Sequence, residues 1–197
     1  MNKRQKQKAE TREKILEIAR SLFSRKGFEV SMRFLANEAG ISVGSLFVHF
    51  KDKHDLLVHV LYEDLQRAGE RALQHLSAEK SVLDNLIDVT RPVYEYYLMN
   101  PELSQVLLKE SMFSNEDDEN PLIRDQLYWF LREIVAVIQP KFKNDSSLNL
   151  ENFMASFFSL YFVNLLKNLK KKDVGIEDVM ADLVKPLEAL TVAYDLP

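Results

Sequence analysis

Apolar residues recur every three or four positions along almost the whole sequence, and only five glycines and six prolines interrupt them. That spacing lines one face of a 3.6-residue helix, whereas strand-rich chains alternate with period two and need turn residues at short intervals. The sequence therefore predicts an all-α protein of about nine helices. One short region stands apart within it, SMRFLANEAGISVGSLFVHFKDK, from Ser31 to Lys53. Ser31 is placed to cap a helix running to Ala39, with Met32, Leu35, Ala36 and Ala39 on its packed side. Gly40 ends that helix, Ile41 plugs the turn, and Ser42 caps a further helix over residues 43–50. On a helical wheel Val43, Leu46, Phe47 and Phe50 share one side, and Gly44, Ser45, Val48 and His49 share the other. A small, mostly uncharged outer face with basic neighbours suits a helix that enters the DNA major groove. Gly44 lets the backbone come close to phosphates, Ser45 can bond a phosphate or a base edge, and Val48 can touch a thymine methyl. The plain alternative is a helical hairpin with no partner.

A net charge of −4 argues against nucleic acid, but its distribution does not. Residues 1–53 carry 12 Lys+Arg against 6 Asp+Glu, and residues 54–197 carry 14 against 24. A basic front on an acidic remainder suits a small unit facing phosphates, joined to a larger one that does not. With 46% hydrophobic and 28% charged residues the chain is globular, and its lack of cysteine excludes disulfides and thiolate metal sites. The basic N-terminus has no apolar signal-peptide core, and the longest apolar run, residues 153–166, is broken by Ser156, Ser159 and Asn164. A cytoplasmic protein with no membrane partner is the expectation.

In chain order, residues 1–8 have nothing to bury and read as a mobile arm, either following a phosphate backbone or simply disordered. A first helix over residues 10–26 carries the stripe Ile15, Ile18, Ala19, Leu22 and Phe23 and stops at Gly27. Asp52 is positioned to cap a long fourth helix reaching about His75, with Asp55 at its positive end. His54 and His59 are five apart and match no zinc pattern, so no metal is expected. Ser81 caps a fifth helix, Pro101 opens a sixth, and Pro121 opens a seventh in which Trp129 faces away from the main stripe. Between the sixth and seventh lies an acidic loop, residues 116–119, expected to be solvated, with a divalent-cation site as the alternative. The eighth helix, residues 150–170, is apolar on two sides: Phe153, Phe157, Leu160, Tyr161 and Asn164 on one, and Met154, Phe158, Phe162, Leu165 and Leu169 on the other. One face can pack inward while the second meets a copy of itself, together with Val179, Leu183 and Leu187 of the last helix. The expected partner is thus a homodimer through the last two helices.

The strings TREKILEIARSLFSRKGFEVS, LANEAGISVGSLFVHF and KDKHDLL cover residues 11–57 almost without gaps, and they resemble the TetR family of transcriptional repressors. The resemblance implies a three-helix helix-turn-helix head, residues 1–52, on a helical ligand-binding and dimerisation bundle, residues 53–197. It implies that Ser31 and Arg33 meet phosphate and base, and that Ser42, Val43, Gly44, Ser45, Phe47 and Val48 form the recognition helix and its cap. His49 and Lys53 stand where the family contacts the DNA backbone. Departures are visible: Phe47 replaces a customary tyrosine and Val43 a customary polar residue, while Phe34 is off the packed stripe and expected to be exposed. The resemblance further implies a small-molecule effector held among helices four to eight, which moves two DNA-bound heads apart. Tyr94, Tyr97, Met112, Trp129, Phe157, Tyr161 and Asn164 are the candidates, and they suit a largely apolar or aromatic ligand. For any single one of them an ordinary core position is the plainer reading, and Asn164, polar within an apolar stripe, requires a hydrogen-bond partner.

A dimer reading a palindrome in double-stranded DNA follows from the same logic, since one short helix contacts too few bases to be specific. No nucleophile–base pair, zinc pattern or phosphate loop occurs, so neither an enzyme nor a cofactor is expected. A regulator controlled by a protein partner, or a helical carrier of small molecules, are the alternative functions.

Overall fold

The computed structural model describes residues 2–113, 121–142, 147–171 and 173–197, without the side chains of 110–113 and 147–148. Its helices are α1 (Lys3–Lys26), α2 (Met32–Ala39), α3 (Val43–Phe47), α4 (Lys53–Leu73), α5 (Val82–Met99), α6 (Pro101–Phe113), α7 (Pro121–Ile138), α8 (Ser147–Asn168) and α9 (Ile176–Ala193), with a 3-10 turn at Gln139–Lys141. Among the described residues there is no strand. The acidic loop at 116–119 lies outside the described residues. The chain divides into two compact units, one of Met1–Asp64 with Glu102–Arg124 and one of Leu65–Pro101 with Asp125–Pro197.

The first unit is built on the predicted stripes. Ile15, Leu16, Ala19, Leu22 and Phe23 of α1, Leu35, Ala36 and Ala39 of α2, Leu46, Phe50, and Leu56, Leu57 and Val60 of α4 form one buried core. Leu103 of α6 joins them. The caps fall where the residue types place them. Ser31 Oγ accepts the Phe34 N–H at 3.2 Å, Ser42 Oγ accepts the Ser45 N–H at 3.0 Å, and Asp52 Oδ1 accepts the Asp55 N–H at 2.8 Å. Gly40 closes α2 in the left-handed conformation, φ 67°, which a side chain would oppose.

The N-terminal arm is a correction. Helix α1 begins at Lys3, because the Asn2 side chain accepts the Arg4 N–H at 2.7 Å and Gln5 Oε1 accepts the Asn2 N–H at 3.0 Å. This reciprocal capping extends the helix over residues that have nothing to bury. Helix α3 is shorter than the wheel implies, ending at Phe47, with residues 48 and 49 in a turn that delivers Phe50 to the core.

In the second unit α5, α8 and α9 share a core of Val82, Leu86, Val89, Val93, Tyr94, Phe157, Leu165, Leu169, Val179, Leu183 and Leu187. Buried Asn85 ties down the linker before α5. Its amide donates to the Ser77 and Ser81 carbonyls and its Oδ1 accepts the Ser77 N–H, each at 2.9 Å. Trp129 is half-buried over α4, where a Cβ at Gly69 would lie 3.4 Å from its ring.

Leu165, Leu169, Val179, Leu183 and Leu187 correct the expected dimer interface. Each is at most 2% exposed within the single chain. They form the seam between α8 and α9 and leave no side-chain surface for a partner. Met154, Phe158 and Phe162 are half-buried, the two phenylalanine rings stacked at 5.6 Å. What α8 and α9 expose instead are Val163, at 66%, and Val192, at 78%.

Candidate nucleic-acid interface

Helix α3 and the start of α2 present the predicted side chains on one unit. Ser31, Arg33, Ser42, Gly44, Ser45, Phe47 and Val48 are exposed, and Val43, His49 and Lys53 are half-buried. The anchoring is one-sided: Leu46 and Phe50 are buried completely or nearly so, and Val43 packs on the same core. Phe47 departs from its wheel position. It is 50% exposed and stands with Val48, 67% exposed, as an apolar pair in solvent. Phe34, 37% exposed, carries the Lys26 ammonium 4.5 Å above its ring.

The polar residues are held in defined states. Ser42 and Ser45 share a hydroxyl hydrogen bond of 2.9 Å, which ties the Ser45 side chain to the helix cap. Lys53 donates to the Phe28 carbonyl at 2.7 Å and lies 4.1 Å over the Phe28 ring, which fixes its stem and leaves two ammonium protons free for an anion. Asp55 accepts the Lys51 N–H at 2.9 Å and meets His59 Nδ1 at 3.2 Å. Burial raises its pKa, and these hydrogen bonds outweigh burial to hold the carboxyl below its usual range.

Sequence reasoning missed Arg12. From α1 it donates to the His49 carbonyl at 2.9 Å and places its guanidinium 4.3 Å over the Phe50 ring. A cation at the C-terminal end of a helix complements the dipole and satisfies a carbonyl that the helix itself leaves open. His49 has a buried Nδ1 with no hydrogen-bond partner. Partial burial first, then Lys8 and Arg12, lower its pKa, so the imidazole is neutral near pH 7. The signal for Arg12 was a basic residue one turn before the apolar stripe of α1, too common a pattern to single out.

The candidates for a ligand site lie mainly in the second unit. Tyr94 donates to the Tyr161 carbonyl at 2.6 Å, with the two rings 5.0 Å apart, and Phe157 stands 6.2 Å from Tyr161. Asn164 donates to the Val179 carbonyl at 3.0 Å and to the Tyr94 hydroxyl at 3.4 Å, and Asn168 donates to Asn164 Oδ1 at 3.0 Å. The partner that Asn164 required is therefore protein. Burial pushes the phenols of Tyr94, Tyr97 and Tyr161 well above their ordinary values, so they act only as neutral groups. Trp129 packs over Gly69 instead. The Met112 side chain is outside the description.

No group of three or more metal-ligating side chains occurs among the described residues, and no described helix is long and apolar enough to cross a membrane.

Residues 15–60 match the family model for bacterial regulatory proteins of the TetR family. An HTH-type transcriptional regulator of Staphylococcus aureus (strain USA300) is 49% identical over 57 residues, which cover 28% of this chain and 31% of the relative. The match thus spans about a third of the curated relatives' length. FadR from Thermus thermophilus, a TetR-family transcriptional repressor solved in complex with lauroyl-CoA, has a similar fold with a TM-score of 0.70, 21% identity and coverage of 91% of this chain and 92% of that one. A TetR transcriptional regulator from Rhodococcus sp. RHA1 gives a TM-score of 0.62 at 21% identity, covering 93% and 97%. The capped α2–α3 pair thus lies within the segment that matches the TetR family model, and over nearly its whole length the chain has a fold similar to that of TetR-family regulators.

Proposed function

We propose that the protein is a sequence-specific DNA-binding transcriptional regulator of the cytoplasm, a homodimeric repressor of a palindromic operator. The observation that carries this is the exposed face of α3. Gly44, Ser45, Phe47 and Val48 stand in solvent on a helix pinned from behind by Leu46, Phe50 and Arg12. Phe47 and Val48 make apolar contacts to thymine methyls. Ser31, Ser45, His49 and Lys53 hold phosphates, and Arg33, exposed in the first turn of α2, reads a guanine edge. Val43 and Ser42 set the position of the helix.

Selection of bound sequences from random DNA at several salt concentrations tests the function. A palindromic consensus with a steep salt dependence is the expected outcome, and no enrichment refutes it. Within that consensus, Arg33→Ala is expected to weaken specific binding by roughly 1–3 kcal/mol and to relax preference at one position per half-site. Unchanged preference would reassign guanine reading to another residue.

The homodimer forms through the outward faces of α8 and α9, where Val163 and Val192 are exposed among the small residues Ala155, Ser159, Ala181 and Ala189. Small side chains let helices of two copies approach closely, and the twofold interface meets itself. Val163→Glu is expected to shift the protein from dimer to monomer in light scattering and to abolish operator binding at concentrations where wild type binds. A wild-type chain that is monomeric throughout sinks the dimer.

The effector is a small, largely apolar or aromatic molecule held in the second unit by Tyr94, Tyr97, Phe157, Tyr161 and Asn164, with Trp129 of α7 in the same unit. The acyl chain bound by the Thermus relative supports an apolar ligand class.

A further inference from the structure

Helix α1 changes character along a single face. From Ile15 onward that face carries Ile15, Leu16, Ala19, Leu22 and Phe23, all buried in the core of the first unit. Before Ile15 the same face carries Arg4, Lys8 and Arg12, spaced four apart, so that successive members step only about 40° around the helix. The acids Glu10, Glu13 and Glu17 are on the opposite side, by the same rotation of about 100° per residue, and Lys6 pairs there with Glu10 at 3.9 Å. The basic stripe therefore contains no acid, and Arg4 and Lys8 are exposed with no ion pair among the described residues.

Arg12 fixes where that stripe points. Its bond to the His49 carbonyl and its place over Phe50 lock the face of α1 against the C-terminal end of α3. Lys8 comes one turn further out, near enough to His49 to contribute to the lowering of its pKa. At about 1.5 Å per residue, Arg4 extends the line about 12 Å beyond Arg12. Asn2 and Gln5 cap the helix at that end, over residues that bury nothing.

We propose that Arg4 and Lys8 form a phosphate grip that continues the DNA-reading surface onto the backbone flanking each half-site. The inference rests on the DNA-reading function proposed above. A row of cations with no protein beneath it, contiguous with a groove-reading helix, complements the row of phosphates bordering the groove. The grip adds affinity and register and no sequence preference, because phosphates are the same at every base pair.

The test compares two double variants of the full chain that remove equal charge from opposite sides of α1. Operator DNA from the selection is titrated between low and moderate salt, and the sugar-phosphate contacts are mapped by hydroxyl-radical footprinting. Arg4→Gln with Lys8→Gln is expected to lower the salt slope by about 1.8 per bound subunit, at about 0.9 per lost phosphate contact. The footprint contracts at its outer edges and the consensus sequence is retained. Lys3→Gln with Lys6→Gln is expected to leave slope and footprint as in wild type. Equal effects of the two pairs, or an unchanged slope for the first pair, overturn the grip while the reading function stands. A wild-type chain that prefers no sequence overturns the reading function and the grip with it. Circular dichroism of each variant confirms that helix content is kept.

Discussion

Phe50→Ala is expected to cost the first unit about 3–5 kcal/mol, the usual range for emptying a buried aromatic site. Phe50 is 1% exposed and is the point at which the turn after α3, α1 and α4 meet. The Arg12 guanidinium covers one face of its ring at 4.3 Å, and His59 of α4 meets it edge-on at 5.5 Å. Removing the ring leaves a cavity, and it leaves the Arg12 cation over apolar side chains without the ring that attracted it. The turn after α3 then loses the side chain that pulls it inward, so DNA binding falls along with stability. Phe50→Leu keeps most of the volume and is expected to cost less than half as much. Hydrogen exchange reads the effect where it arises, as faster exchange of α2 and α3 amides in the alanine variant. A loss below about 1 kcal/mol by denaturant titration would mean that Phe50 is not the anchor of α3.

Asn164→Asp is expected to destabilise the protein by about 3–5 kcal/mol at pH 7, because it places a charge in a buried site built for an amide. Asn164 is 7% exposed and donates to the Val179 carbonyl and the Tyr94 hydroxyl while accepting from Asn168. A carboxylate can still accept from Asn168 but has no proton for Val179, whose carbonyl oxygen then faces another negative oxygen. The folded state therefore raises the pKa of the new carboxyl above its unfolded value of about 3.9. Between those two values the native state binds more protons than the unfolded state, so stability falls as pH rises. The deficit relative to wild type is present at pH 7 and shrinks as the pH is lowered towards 4, by about 1.4 kcal/mol per unit over that window. Asn164→Leu, which cannot titrate, keeps a deficit independent of pH. Denaturant midpoints of the three proteins at pH 7 and pH 5 decide the matter, and an equal aspartate deficit at both pH values refutes the account.

The helix boundaries that the residue types announce agree with the structure where a capping side chain sets them. Ser31, Ser42, Asp52 and Ser81 each accept an N–H in the first turn or bond beside it, and Gly40 takes the left-handed conformation. These are local events, decided within four residues, and the sequence displays them directly. Asn2 obeys the same rule, but residues 1–8 have no apolar stripe to announce the helix that it caps.

Phe47 and the α8 stripe mark the limit of periodicity. A wheel assigns faces to an ideal helix, but α3 is only five residues long, and the turn after it rotates Phe47 outward while Phe50 goes in. On α8 the wheel correctly finds two apolar faces. Which of them meets α9 of the same chain and which is left open depends on how the helices cross, and that is a property of long-range packing. Leu165 and Leu169 went to the intrachain seam, and Val163, outside both apolar stripes, is the residue left in solvent.

By itself the sequence determined the all-α fold, the capped helix pair between Ser31 and Phe47 and the basic front of the chain, because each depends on residues close together or on composition. Only the tertiary structure decided that Arg12 pins the end of α3, that Asn164 finds its partners in Tyr94, Val179 and Asn168, and that five of the residues expected to meet a second copy pack inside the first. Those facts join residues up to 70 positions apart, and a one-dimensional pattern carries the demand for a partner without its address.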